Sequence, residues 1–131
     1  GRCSIHAYRP GICRLFPLGR YYEDSTEAVS GVREAGYFRY FLQVHECPKP
    51  NKTKVKIKKW LDTPDLKKYE AYIARWHGLL IQLQEYIAAH PESAKAVSMD
   101  VLKRFYLTPY QTEEFYSEFF QRMDEAKKAY C

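Results

Sequence analysis

A chain of 131 residues, 46% of them apolar and 28% charged, can bury a modest hydrophobic core without disulfide staples and is not a disordered segment. No apolar run approaches the roughly 18 residues that a membrane span requires, which excludes a transmembrane role. The net charge of +5 is moderate, and much of it sits in one stretch from Lys49 to Lys59 that holds six lysines.

The amino terminus, Gly1-Arg2-Cys3-Ser4, has no charged segment followed by an apolar one, so no secretory signal is expected. The missing initiator Met leads us to expect further residues upstream. Four cysteines without a secretory signal favour reduced thiols in a cytoplasmic setting, although an even count also permits disulfides.

Residues 1–52 hold five of the six Gly, four of the seven Pro and three of the four Cys. They read as turns around short elements. Tyr8-Arg9-Pro10-Gly11 has turn chemistry, because Pro presets one central φ and Gly tolerates the next. Ile12 to Phe16 reads as one helical turn or a short extended piece, stopped by Pro17 and Gly19. Glu23 to Gly31 is polar and reads as a loop. Tyr37 to Val44 is the clearest strand, with Phe38, Tyr40, Leu42 and Val44 on one face and Arg39 and Gln43 on the other.

From residue 53 onward the pattern is helical. Thr63-Pro64-Asp65 reads as a helix start with a hydroxyl cap, Pro at the first position and an early acid. Tyr69, Ile73, Trp76, Leu80, Leu83 and Ile87 then recur at spacings of four and three, and the stripe ends near His90-Pro91. Such aromatic-rich stripes usually form core rather than a cofactor pocket. A shorter helix is predicted from Ser98 to Tyr106. The last helix, with Phe115, Phe119, Phe120 and Met123 inward, is capped either at Thr108 or at Thr112. The prediction is a mainly α fold: a small helical domain of three to four helices, an N-terminal Cys-bearing turn region and one short strand or hairpin. It is one domain over 1–131, with a cysteine-bearing part at 1–52 and a helical part at 53–131.

Cys3 and Cys13 stand ten positions apart around a Pro-Gly turn, and the predicted strand delivers a third thiol, Cys47. Thiolates bind borderline and soft metals such as Zn²⁺ or iron–sulfur iron, and His6 or His45 could complete four-coordination. Arg9 and Arg14 would favour deprotonation of the neighbouring thiols. Without a Cys-x-x-Cys pair the spacing alone favours ordinary buried cysteines over a metal site. Cys131, at the chain end, is left out of the site, and neither His77 nor His90 makes a persuasive ligand. No phosphate loop, zincin motif or nucleophile elbow is present, and no catalytic dyad can be assigned.

The string from Cys3 to Pro17, Cys-x-Ile-His-x-x-Arg-Pro-x-x-Cys-Arg-x-Phe-Pro, closely resembles the YkgJ-type cysteine-cluster family of zinc- or iron-chelating proteins, with which flagellin lysine N-methylases are associated. The likeness continues through Leu18-Gly19, Tyr37-Phe38, Cys47 and Lys58-Lys59-Trp60-Leu61, then more loosely through Tyr69 to Trp76 and Phe105-Tyr106-Leu107. It implies that Cys3, Cys13 and Cys47 are cluster ligands. It also implies a further cysteine group upstream of Cys3, so the site in this chain is expected to be incomplete.

Three functions follow as expectations. The first is a zinc or iron–sulfur protein with a structural, redox or chelating role. The second, suggested by the resemblance, is a group-transfer enzyme such as a protein lysine methylase. The third is a basic module whose Lys49 to Lys59 run meets an acidic protein or nucleic acid. A solvated loop is the plainer reading of that run, because aromatics do not interleave with its lysines.

Overall fold

The computed structural model describes residues 4, 8, 11–22, 38–43 and 54–130. The fold is mainly α, with a two-stranded antiparallel hairpin. In chain order the elements are α1 (Gly11–Leu15), β1 (Leu18–Tyr22), β2 (Phe38–Leu42), α2 (Ile57–Leu61), α3 (Leu66–Ala89), α4 (Ala94–Leu102) and α5 (Phe115–Tyr130). A 3₁₀ turn at Pro91–Ser93 precedes α4, and a π turn at Lys103–Leu107 follows it. The described residues therefore hold five α-helices where three to four were expected. The difference lies in α1 and α2, five residues each: α1 is the single helical turn read at Ile12 to Phe16, shifted by one residue, and α2 is too short for apolar periodicity to reveal. The chain divides into two compact units, Gly1–Ala71 and Tyr72–Cys131, with the first residues of α3 in the first and the rest in the second.

In the first unit, α1 ends at the turn containing Pro17, whose peptide bond with Phe16 is cis. The hairpin register pairs Leu18 with Leu42, Arg20 with Tyr40 and Tyr22 with Phe38. Strand alternation puts those six residues on one face, as predicted for the β2 half. Leu42 is nevertheless 53% exposed. On the opposite face Phe41 lies over Gly19, where a Cβ would stand 2.2 Å from the ring. The missing side chain makes room for the aromatic ring. Leu15 of α1 and Leu61 of α2 are the buried leucines here.

α2 is closed by Asp62, whose φ of 47° is left-handed and whose N–H donates to the Lys58 carbonyl. A short polar side chain tolerates that conformation better than most. The helix start expected at Thr63 is displaced. Asp65 Oδ1 accepts from the Lys68 N–H at 3.1 Å, which makes Asp65 the cap, while the Thr63 hydroxyl turns back to the Leu61 carbonyl.

The second unit is built on α3, α4 and α5. Leu79, Leu83, Val97, Phe105, Phe119, Met123 and Ala126 form its core, with Tyr72, Trp76, Tyr86 and Ile87 packed around them. The inward line on α3 thus runs Tyr72, Trp76, Leu79, Leu83 and Tyr86, in place of the predicted line through Ile73 and Leu80. Ile73 and Leu80 are half-buried rather than central. The next helix begins at Ala94 rather than Ser98, and its π continuation turns Phe105 into the core. Trp76 meets Phe105 edge-on at 4.7 Å and Phe119 at 5.2 Å, geometry favoured by the ring quadrupoles. Among the described residues, no helix is long and apolar enough to cross a membrane.

Neither predicted threonine caps α5. Glu118, in the first turn, reaches back so that its Oε2 accepts from the Gln111 N–H at 2.8 Å and the Thr112 N–H at 3.0 Å. Its Oε1 pairs with Arg122 one turn later.

Candidate functional site

Of the five predicted metal ligands, Cys13 lies within the described residues. Cys3, His6, His45 and Cys47 lie outside them, as do Cys131 and the loop at 23–31. Cys13 sits on α1, exposed and with a free thiol. Among the described residues no three His, Cys, Asp or Glu side chains converge on a point that could hold a metal.

The scaffold around Cys13 is well defined. Beyond the Leu18–Leu42 pair, the Gln43 N–H donates to the Pro17 carbonyl at 2.9 Å. That bond closes the open end of the hairpin. Cys13 lies four residues before Pro17, and Cys47 lies four residues after Gln43. The register therefore sets Pro17 and Gln43, each four positions in sequence from a cysteine, side by side at one end of the hairpin.

α1 is held against α2 by two bonds. Trp60 Nε1–H donates to the Phe16 carbonyl at 3.1 Å, and Arg14 donates to the Asp62 carbonyl at 3.4 Å. A cleft of about 200 Å³ opens beside α1, lined by Gly11, Arg14, Leu61, Thr63 and Tyr69. Gly11 lets α1 approach Tyr69 closely, since a Cβ there would stand 2.5 Å from the Tyr69 hydroxyl oxygen and force that ring to shift. A larger cleft of about 370 Å³, lined by Lys56, Lys58, Lys59, Asp62, Thr63 and Pro64, shares Thr63 with it.

The sequence reading missed a polar cluster on the inner hairpin face. The Arg20 guanidinium lies 5.4 Å from the centres of the Phe38 and Tyr69 rings and 5.8 Å from that of Tyr40. It donates to the Tyr69 hydroxyl at 3.2 Å, while its Nε–H is buried, surrounded by aromatic rings and without an acceptor among the described residues. The Tyr40 hydroxyl donates to Glu70 Oε1 at 3.0 Å. Burial, followed by that bond and the charge of Glu70, pushes the Tyr40 pKa up to about 12 despite Arg20. Burial likewise raises Tyr22, partly offset by the Arg20 charge. No local motif could have revealed this group, because Arg20 and Tyr69 are 49 positions apart. Its fixed cation and protonated phenols suit it to holding β1, β2 and the start of α3 together.

His77 is half-buried, and desolvation lowers its pKa. His90 stacks on Tyr86, with its Nδ1 3.1 Å from the Tyr86 carbonyl. Its place at the end of α3 accounts for it without a metal.

No protein-family model matches the chain, and no curated protein or solved structure matches it.

Proposed function

We propose that this is a cytoplasmic metal-binding protein of the cysteine-cluster kind, in which Cys3, Cys13 and Cys47, with His6 or His45, hold zinc or an iron–sulfur centre. The observation that carries the reading is the hairpin register. It sets Pro17 beside Gln43, and each stands four positions in sequence from a cysteine, Cys13 and Cys47 respectively. Four residues span at most about 14 Å, a length that would let Cys47 reach the hairpin end beside which α1 carries Cys13. The Cys3 to Pro17 string supports the same reading, and thiolate is the ligand type that both metals prefer. Cytoplasmic placement rests on the reduced thiols that metal ligation requires.

The test is elemental analysis and visible absorption of the natural full-length polypeptide, purified anaerobically. Zinc without a visible band supports a structural or chelating role. Iron with sulfide and a broad blue-region band supports a cluster available for redox or group-transfer chemistry. Cys13→Ser and Cys47→Ser should each remove more than half of the metal, whereas Cys131→Ser should leave it unchanged. Metal-free protein, or metal insensitive to Cys13 and Cys47, overturns the proposal.

A further inference from the structure

The first unit holds fourteen Lys and Arg against eight Asp and Glu, a net charge of +6, while the second carries −1. The positive field is thus a property of one part of the chain rather than of the whole. Lys56, Lys58 and Lys59 border the 370 Å³ cleft, with Asp62 as the one acid among its lining residues. Among the described residues, none of these lysines takes part in an ion pair. Unneutralised ammonium groups around a concavity attract phosphate and release its counterions.

A second feature selects among polyanions. Trp60 is 45% exposed, yet its indole N–H is fixed to the Phe16 carbonyl. Its backbone N–H bonds to the carbonyl of Lys56, the N-cap of α2, at 3.0 Å, and Trp60 follows directly on Lys58 and Lys59, which line the cleft. A half-open, oriented indole beside lysines serves a base better than a carboxylate, because every base has a face to stack. Duplexes keep those faces covered; single strands offer them. The sequence shows no interleaving of aromatics and lysines, but α2 carries Trp60 in the same short helix as the cleft-lining Lys58 and Lys59.

We infer that the Lys56–Lys58–Lys59 cleft with Trp60 is a binding site for single-stranded nucleic acid, with phosphates on the lysines and a base on the indole. The inference is independent of the metal proposal.

The experiment titrates the full chain into a fluorescein-labelled oligothymidylate about 12 nucleotides long, within the usual size of a single-strand site. With three phosphates neutralised, affinity should fall about 20-fold between about 50 and 200 mM salt. Replacing Lys56, Lys58 and Lys59 together by Ala should flatten that slope and weaken binding. Trp60→Ala should weaken binding at least about fivefold, and Trp60→Phe should restore most of it, as expected for stacking. Absent binding at the lowest salt overturns the inference. So does equal competition by polyglutamate with Trp60→Ala silent, which would assign the cleft to acidic proteins. Duplex binding as tight as single-strand binding, with Trp60→Ala silent, overturns it as well.

Discussion

Arg122 shows how much one side chain holds in place. It is 8% exposed and donates to the carbonyls of Arg104 at 2.6 Å, Thr108 at 2.8 Å and Pro109 at 2.7 Å, as well as to Glu118. Its guanidinium lies 4.0 Å from the centre of the Tyr110 ring. The carbonyls belong to the π turn and its exit, where a helix end leaves acceptors without intrahelical donors. Arg122→Ala should cost about 3–5 kcal/mol in urea unfolding, because it strands those carbonyls and the Glu118 carboxylate. Arg122→Lys should recover less than half, since an ammonium lacks the planar fork. Burial alone would raise the Glu118 pKa, but hydrogen bonds from Gln111, Arg122 and Thr112, with the Arg122 charge, hold it below the ordinary carboxylate value. A depressed carboxyl stabilises the fold above its unfolded pKa, and that contribution is lost as pH falls through the folded value. The acid limb of a stability profile should accordingly flatten in Glu118→Gln. Tyr40 has the opposite sign. Its raised pKa stabilises the fold fully below about pH 10, and the contribution disappears as pH rises toward 12. An ultraviolet titration should show a late-ionising tyrosine that is absent in Tyr40→Phe.

At the scale of elements, the helix starts separate what local chemistry suggests from what is built. Thr63-Pro64 has the composition of a cap, yet the bond to the first-turn N–H comes from Asp65. Asp65→Ala should therefore destabilise by about 1 kcal/mol, whereas Thr63→Ala should cost less than about half of that, both read from thermal melts. α5 shows the same displacement, its preceding loop being tied down by Glu118 from inside the helix. Glu118 and Arg122 pair at i, i+4 spacing on α5, but the sequence reading did not single out Arg122. Its second role was hidden, because the carbonyls it serves lie 13 to 18 positions away. The inward line of α3 was displaced for a related reason. Apolar residues occupy more than one stripe of that helix, so periodicity fixed its helicity and left open which stripe faced α5.

For the molecule as a whole, two features matter most: an aromatic core in the second unit and a basic cleft in the first. Leu79 is fully buried among Val97, Phe105, Phe119 and Met123. Leu79→Ala should cost about 2–5 kcal/mol by chemical denaturation, with loss of near-ultraviolet ellipticity from the surrounding rings. The sequence alone determined the mainly α class, the strand at Phe38–Leu42, the long helix ending before Pro91 and the apolar face of α5. All of these follow from periodicity and from the backbone limits of Pro and Gly, which act within a few residues. Tertiary structure decided the hairpin register that sets Pro17 beside Gln43. It also decided the encirclement of Arg20 by rings and the convergence of three carbonyls on Arg122. Those arrangements join residues 13 to 49 positions apart. Their partners are selected by strand register and by helix docking, and neither leaves a mark in the local order of residues.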